Sequence, residues 1–141
     1  MIIFDLDGTL SIVGDRIKFL QQDEKDWDSF YSACDQDEVN EPIAMLFRQL
    51  AFVNVMKIVT GRRESCRGKT LKWLSRNFIQ IDTSNLHMRS DGDHRHDTLV
   101  KPELVKDFIR QIDMVFEDRN SMVAKWRELG IPCCQVADGD F

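Results

Sequence analysis

Ile2-Ile3-Phe4-Asp5-Leu6-Asp7-Gly8-Thr9-Leu10 is the stretch on which the reading of this chain turns. Three apolar, strand-favouring residues run straight into two aspartates separated by one position. Along an extended chain side chains i and i+2 fall on one side, so Asp5 and Asp7 converge on one point. Gly8 lets the backbone turn sharply and Thr9 offers a hydroxyl. Two carboxylates so placed repel each other unless a cation or a shared proton compensates. The pattern therefore points to a metal site at the end of a strand.

The rest of the sequence bounds what surrounds that strand. At 141 residues, 43% hydrophobic and 30% charged, the chain suits one globular domain with a sizeable core. No apolar run approaches the ~20 residues of a membrane span. No basic-then-apolar leader precedes the acidic pair. Cysteines at 34, 66, 133 and 134 form no C-x-x-C pair, which fits free thiols in a reducing cytoplasm. A net charge of −5 argues against non-specific wrapping of nucleic acid. From Lys57 to Arg76, however, seven basic residues face one acid, Glu64. That run reads either as a surface for a short polyanion or as a solvated helix face.

Patterning predicts alternating strands and helices. Residues 11–26 are polar, with Gly14 at a turn, and Trp27, Phe30, Tyr31 and Cys34 recur at helical spacing. Asn40-Glu41-Pro42 starts a helix whose stripe is Ile43, Leu46, Phe47 and Leu50. A second strand runs from Phe52 to Val59, followed by Thr60-Gly61-Arg62 and a basic helix over 64–77 buried through Leu71, Trp73 and Leu74. A short strand near 86–88, a charged loop from Arg89 to Asp97 and a helix opening at Lys101-Pro102-Glu103 come next. A third strand, Met114-Val115-Phe116, stops at Glu117-Asp118; a helix over 120–129 and a last strand over 133–136 complete the order. This alternation implies an α/β fold with parallel pairing. Asp5/Asp7, Thr60 and Glu117/Asp118 each follow a strand, at the sheet edge where ligands bind in open α/β folds.

The chemistry of these residues is coherent as a set. Mg²⁺ prefers carboxylate oxygens together with waters and phosphate, and Asp5, Asp7 and Asp118 supply them. An aspartate so placed can attack phosphorus, and a second carboxylate can move the proton. Thr60 and Gly61 offer a hydroxyl and a backbone N–H to a phosphate oxygen, and Lys101 offers charge to a transferring phosphoryl group. Singly, each has a plainer reading: a strand-to-helix turn, an exposed lysine, a helix cap. Two apparent motifs drop out. Six residues separate Gly61 from Gly68-Lys69-Thr70 where a P-loop has four between its glycines, so nucleoside-triphosphate binding by that route is rejected. His94-Arg95-His96 lacks a third nitrogen or sulfur partner and reads as a solvated loop.

Asp5-Leu6-Asp7-Gly8-Thr9, then Thr60, Lys101 and Glu117-Asp118, resemble the four ordered motifs of the haloacid dehalogenase-like (HAD) phosphohydrolases. Arg16, Thr60-Gly61-Arg62, Asp97, Asp118-Arg119, Trp126-Arg127, Gly130 and the ending from Cys133 to Phe141 resemble, more closely, the 3′-phosphatase domain of bacteriophage polynucleotide kinase. The resemblance spans nearly the whole chain. It implies a three-layer α/β/α Rossmannoid fold over residues 1–141, with a mostly parallel sheet of about five strands and a small cap inserted over about 11–40. Asp5 would be the nucleophile and Asp7 the general acid/base. Asp5, the Asp7 carbonyl and Asp118 would hold Mg²⁺, with Glu117 acting through water. Thr60 and Lys101 would bind the phosphoryl group, while Arg16, Gly61, Arg62, Arg89 and Asp97 would contact phosphate or support the site. Two departures stand out: Glu117 replaces a commoner aspartate, and the insert around Trp27–Cys34 is longer than in the phage domain.

The expected activity is Mg²⁺-dependent hydrolysis of a phosphate monoester through an aspartyl-phosphate. The expected substrate is a 3′-phosphorylated DNA or RNA end in nucleic-acid repair, with a separate kinase or ligase as partner and no membrane. The expected location is the cytoplasm, the host's if the chain is phage-encoded. A mononucleotide or other small-molecule phosphatase is the alternative within this class. A non-catalytic phosphate- or partner-binding module is the alternative outside it.

Overall fold

The computed structural model describes residues 1–139; Asp140 and Phe141, which close the stretch resembling the phage domain, lie outside the described residues. Ile2–Phe4 forms β1 at the centre of a five-stranded parallel sheet. It pairs on one side with β4 (Met56–Arg63) and on the other with β6 (Met114–Arg119). β5 (Leu86–Arg89) and β7 (Cys133–Gly139) complete the order β5-β4-β1-β6-β7. A central parallel strand is covered on both faces, which is why residues 2–4 are continuously apolar.

Period-two alternation divides the core. Ile2 and Phe4 point into one cluster with Phe116, Ile58, Phe47, Trp73 and Leu74. Ile3 points into the other with Val59, Val115, Met122 and Trp126. The first cluster is roofed by α2 (Glu41–Leu50) and α3 (Arg67–Arg76), the second by α4 (Asp97–Leu104) and α5 (Asn120–Glu128). The result is the three-layer α/β/α arrangement. No helix among the described residues is long and apolar enough to cross a membrane.

An excursion leaves the sheet directly after β1. β2 (Ser11–Ile12) and β3 (Glu38–Val39) pair antiparallel and close its base. Between them lie a 3₁₀ turn at Asp15–Phe19 and the six-residue helix α1 (Trp27–Ser32), capped by the Asp26 carboxylate accepting from Ser29 N. This insert runs from Ser11 to Val39.

Several boundaries differ from the sequence expectations. The second strand begins at Met56 rather than Phe52. Residues 51–54 instead extend the end of α2, with Asn54 N donating to Leu50 O at 3.1 Å, and this leaves Phe52 and Val53 exposed. The strand also runs through Thr60-Gly61-Arg62, so that triplet is a bulged strand end rather than a turn into a helix. The helix expected to open at Lys101 starts at Asp97, and Pro102 sits inside it at the cost of one backbone bond. Lys101 is therefore in its last turn, with its side chain buried.

The basic run also has a different use from an open polyanion surface. Lys69 Nζ donates to Ser32 O at 2.5 Å, Arg76 to Asp35 O at 2.7 Å, and Arg67 to Leu86 O at 3.0 Å. These side chains fasten the cap and β5 to α3.

Candidate active site

Strand order reverses between β1 and β6, and at such a switch point the carboxyl ends of adjacent strands diverge to leave a crevice. Asp5 and Asp7 follow β1 there, and Glu117 and Asp118 stand on the end of β6. Gly8 makes their approach possible. It sits at φ +91°, and a Cβ at this position would lie 2.1 Å from Asp118 Oδ2. Thr9 Oγ1 then donates to Asp118 Oδ1 at 3.4 Å.

Asp5, Glu117 and Asp118 are all buried, and each offers a carboxylate oxygen within 4.8 Å of the others. Lys101 reaches them from α4, its Nζ 2.6 Å from Asp5 Oδ1 and 2.7 Å from Glu117 Oε2. Burial opposes the lysine's charge, but Asp5 and Glu117 hold the ammonium protonated far above the usual lysine value. One ammonium does not neutralise three carboxylates. Burial, and then Glu117, push Asp5 up to about 7 despite Lys101; burial, and then Asp5, push Asp118 up to about 6. Glu117 is raised as well, by burial first. Its Oε1 is buried with no hydrogen-bond partner among the described residues. Hard oxygen donors, excess negative charge and an unsatisfied buried oxygen together fit a divalent cation such as Mg²⁺.

Asp7 has a different environment. Its Oδ1 accepts from Arg16 Nη2 at 2.6 Å, from Arg62 Nε and Nη2 at 2.9 and 2.5 Å, and from Ser11 Oγ at 3.2 Å. Burial works to raise its pKa, but Arg62 and Arg16 outweigh it and hold the carboxyl well below the usual carboxylate range. Both arginines are also tied to Asp37: Arg16 Nε meets Oδ1 at 2.6 Å, and Nη2 of Arg62 meets Oδ2 at 3.3 Å. Arg16 and Arg62 are thus buried behind Asp7 with their guanidinium groups directed at its carboxylate.

A cleft of about 220 Å³ opens over these groups, lined by Asp5, Asp7, Thr60, Gly61, Lys101 and Asp118 among others. The Thr60 hydroxyl oxygen accepts from Arg62 N at 3.2 Å, so its proton remains available to a ligand. Arg89 and Asp97 border the cleft but face each other, their side chains directly bonded. Arg89 Nε also donates to Gly61 O at 3.1 Å, and Arg119 Nη1 donates to Asp97 Oδ2 at 2.7 Å. The pair braces the end of β4 against α4. His94 and His96 line the far wall without joining the acidic cluster.

Asp37 and Tyr31 had no sequence signal as site residues. Asp37 anchors both arginines from the cap side, and Tyr31 Oη donates to Gly61 O at 3.2 Å.

The parallel sheet, the inserted cap and the acidic cluster at the switch point define a HAD-like α/β fold. The chain belongs to the polynucleotide kinase PNKP phosphatase domain family, whose profile matches residues 1–141. It is 29% identical over 136 residues to a putative bifunctional polynucleotide kinase/RNA ligase of Autographa californica nuclear polyhedrosis virus, covering 93% of this chain and 18% of that protein. It also superposes on a chain from the structure of a Pnkp1/Rnl/Hen1 complex with a TM-score of 0.83 and 34% identity, covering 99% of this chain and 46% of that one. The chain spans less than half the length of either relative.

Proposed function

We propose that this chain is a Mg²⁺-dependent phosphatase that removes the terminal phosphate from a polynucleotide 3′ end through an aspartyl-phosphate on Asp5. The observation that carries the reading is the meeting of Asp5, Lys101 and Asp118, from three distant segments, at the floor of one cleft. The family supports the polynucleotide end as substrate, and the kinase and ligase named among the relatives support such enzymes as partners. When bound, Mg²⁺ would be held by Asp5, the Asp7 carbonyl and Asp118, with Glu117 through water, and would neutralise phosphoryl charge.

In the first half-reaction an Asp5 carboxylate oxygen attacks phosphorus and the ester P–O bond breaks. The leaving oxygen takes a proton from Asp7. Arg16 and Arg62 grip Asp7 through Oδ1, which leaves Oδ2 to carry that proton. An arriving phosphate dianion opposes the arginines and raises Asp7 toward the protonated form this step needs. In the second half-reaction Asp7, now a carboxylate, takes a proton from water as the water oxygen attacks phosphorus. The bond to Asp5 breaks, and inorganic phosphate leaves. Thr60 and Lys101 hold the equatorial phosphoryl oxygens through both halves.

The test is phosphate release from an aryl phosphate, a free 3′-mononucleotide and a 3′-phosphorylated oligonucleotide. Mg²⁺-dependent release that prefers the oligonucleotide and disappears in Asp5→Asn is expected. Equal or better turnover of the mononucleotide reassigns the substrate class. Absence of turnover, or undiminished turnover in Asp5→Asn, overturns the mechanism and leaves a phosphate-binding module.

A further inference from the structure

One wall of the cleft is aromatic, and the phosphatase chemistry makes no use of it. Trp27 and Tyr31 lie one turn apart on α1, half-buried, with ring centroids 5.9 Å apart and planes 24° from parallel. Phe30 fastens them from below: it is buried, meets both rings edge-on, and carries the Arg16 guanidinium 4.1 Å above its own ring. Two aromatic residues lie along the cleft at helical spacing while a third anchors the helix.

The wall is fixed in register with the phosphate site. Tyr31 Oη donates to Gly61 O, the same carbonyl that accepts from Arg89, one residue beyond Thr60. A cation lies over each ring: Arg63, paired with Asp28, is 5.1 Å from the Tyr31 centroid, and Lys25 is 5.8 Å from that of Trp27. Flat rings beside cations are what a base and its neighbouring phosphate require. The cleft, at about 220 Å³, is smaller than the roughly 300–1,000 Å³ of pockets that enclose a drug-sized ligand. It suits one end of a molecule that continues outside.

We propose that Trp27 and Tyr31 form a stacking platform for the nucleobase nearest the scissile phosphate, so that the site selects an unpaired polynucleotide 3′ end. This rests on the phosphatase reading above. A base held in a duplex has to leave its stack to reach the platform, at a cost of a few kcal/mol, so recessed and blunt ends are disfavoured.

Kinetics on two 3′-phosphorylated oligonucleotides, one with a normal and one with an abasic terminal nucleoside, separate this proposal from the reading beneath it. The natural sequence should favour the intact end by roughly 5- to 150-fold in kcat/KM, the range expected of one base–aromatic stack. Trp27→Ala should bring that ratio close to one, and Trp27→Phe should restore much of it. Trp73 and Trp126 are fully buried, so Trp27 dominates any fluorescence response to a bound base. Oligonucleotide added to Asp5→Asn protein should quench emission when the terminal base is present and much less when it is absent. Equal kcat/KM on the two ends, or Trp27→Ala lowering both in proportion, overturns the platform while the phosphatase stands. Turnover of neither end by any form overturns the phosphatase reading itself.

Discussion

Arg62 donates to Asp7 Oδ1 through both Nε at 2.9 Å and Nη2 at 2.5 Å, although 55 positions separate the two residues. Arg62 is fully buried, so its charge is sustained by Asp7 and Asp37 in place of water. Asp7 and Asp5, two residues apart, are thereby driven in opposite directions. Arginines hold Asp7 ionised, while burial and neighbouring carboxylates favour the proton on Asp5 until a cation arrives. At rest this is the reverse of what the proposed first half-reaction needs, so a bound cation would have to ionise Asp5 and the arriving phosphate to protonate Asp7.

Replacing Arg62 with lysine should expose that division. Lysine keeps the charge but lacks the planar fork that contacts Asp7 twice. We expect kcat to fall by roughly 10²-fold, the low end of what general acid–base catalysis contributes, with little change in KM. Where hydrolysis of the aspartyl-phosphate limits the rate and Asp7 acts as base, the acid limb of the rate profile should move to higher pH, because weaker pairing lets Asp7 hold its proton longer. Steady-state rates from pH 4 to 8 check this. An unmoved acid limb would show that Arg62 does not set the Asp7 charge.

Gly8 offers a steric test of the metal site. Ala at this position brings a Cβ onto the Asp118 carboxylate and forces a side chain into positive φ. Gly8→Ala should lose about 1–3 kcal/mol of stability, and Mg²⁺ affinity should drop by at least tenfold as Asp118 is displaced. Urea denaturation and metal titration read the two effects separately. Full Mg²⁺ affinity in a folded Gly8→Ala protein would remove Asp118 from the ligand set.

What the sequence made legible follows from range. The β1 stretch, the sheet order implied by alternation, and the carboxylates at strand ends are local patterns, and Asp5, Asp7, Asp118 and Lys101 do meet in space. Partner assignments were not local. Arg16 and Arg62 read as residues that contact phosphate or support the site, but their shared partner was not legible, because Asp37 carries no motif and arrives from the far end of the cap. Phe52 and Val53 read as strand because their propensity is high, whereas the ladder with Ile2 begins only at Met56. Pro102 suggested a helix start because proline usually occupies the first turn, and α4 tolerates it in the last.

The acidic cluster predicts a proton-linked metal site. Without metal, burial above all pushes Asp5 up to about 7 and Asp118 up to about 6. Between the ordinary carboxylate value and these, the folded protein binds more protons than the unfolded chain. Stability of the metal-free protein therefore falls as pH rises toward 7. Mg²⁺ must displace those protons, so its affinity should rise through pH 6 to 7 and level off above. Calorimetry in buffers of different ionisation heat should find proton release on binding at pH 6 and little at pH 8. Equal release at both would refute the linkage.

Asp97 predicts the opposite sign. Burial opposes its charge, but Lys101, Arg119 and Arg89 prevail and lower its pKa below the ordinary value. Its contribution to stability is therefore fully present above the unfolded pKa, about 3.9, and is lost as pH falls through the lower folded value. Asp97→Asn leaves Arg89 and Arg119 without their shared carboxylate and should cost on the order of 1–3 kcal/mol at pH 7. That gap should close as pH falls below about 4, because the natural Asp97 is then losing the same charge. Urea midpoints at pH 7, 5 and 3 follow the closure. A gap that stays constant to pH 3 would assign Asp97 a packing role, with its charge contributing nothing to the brace between β4 and α4.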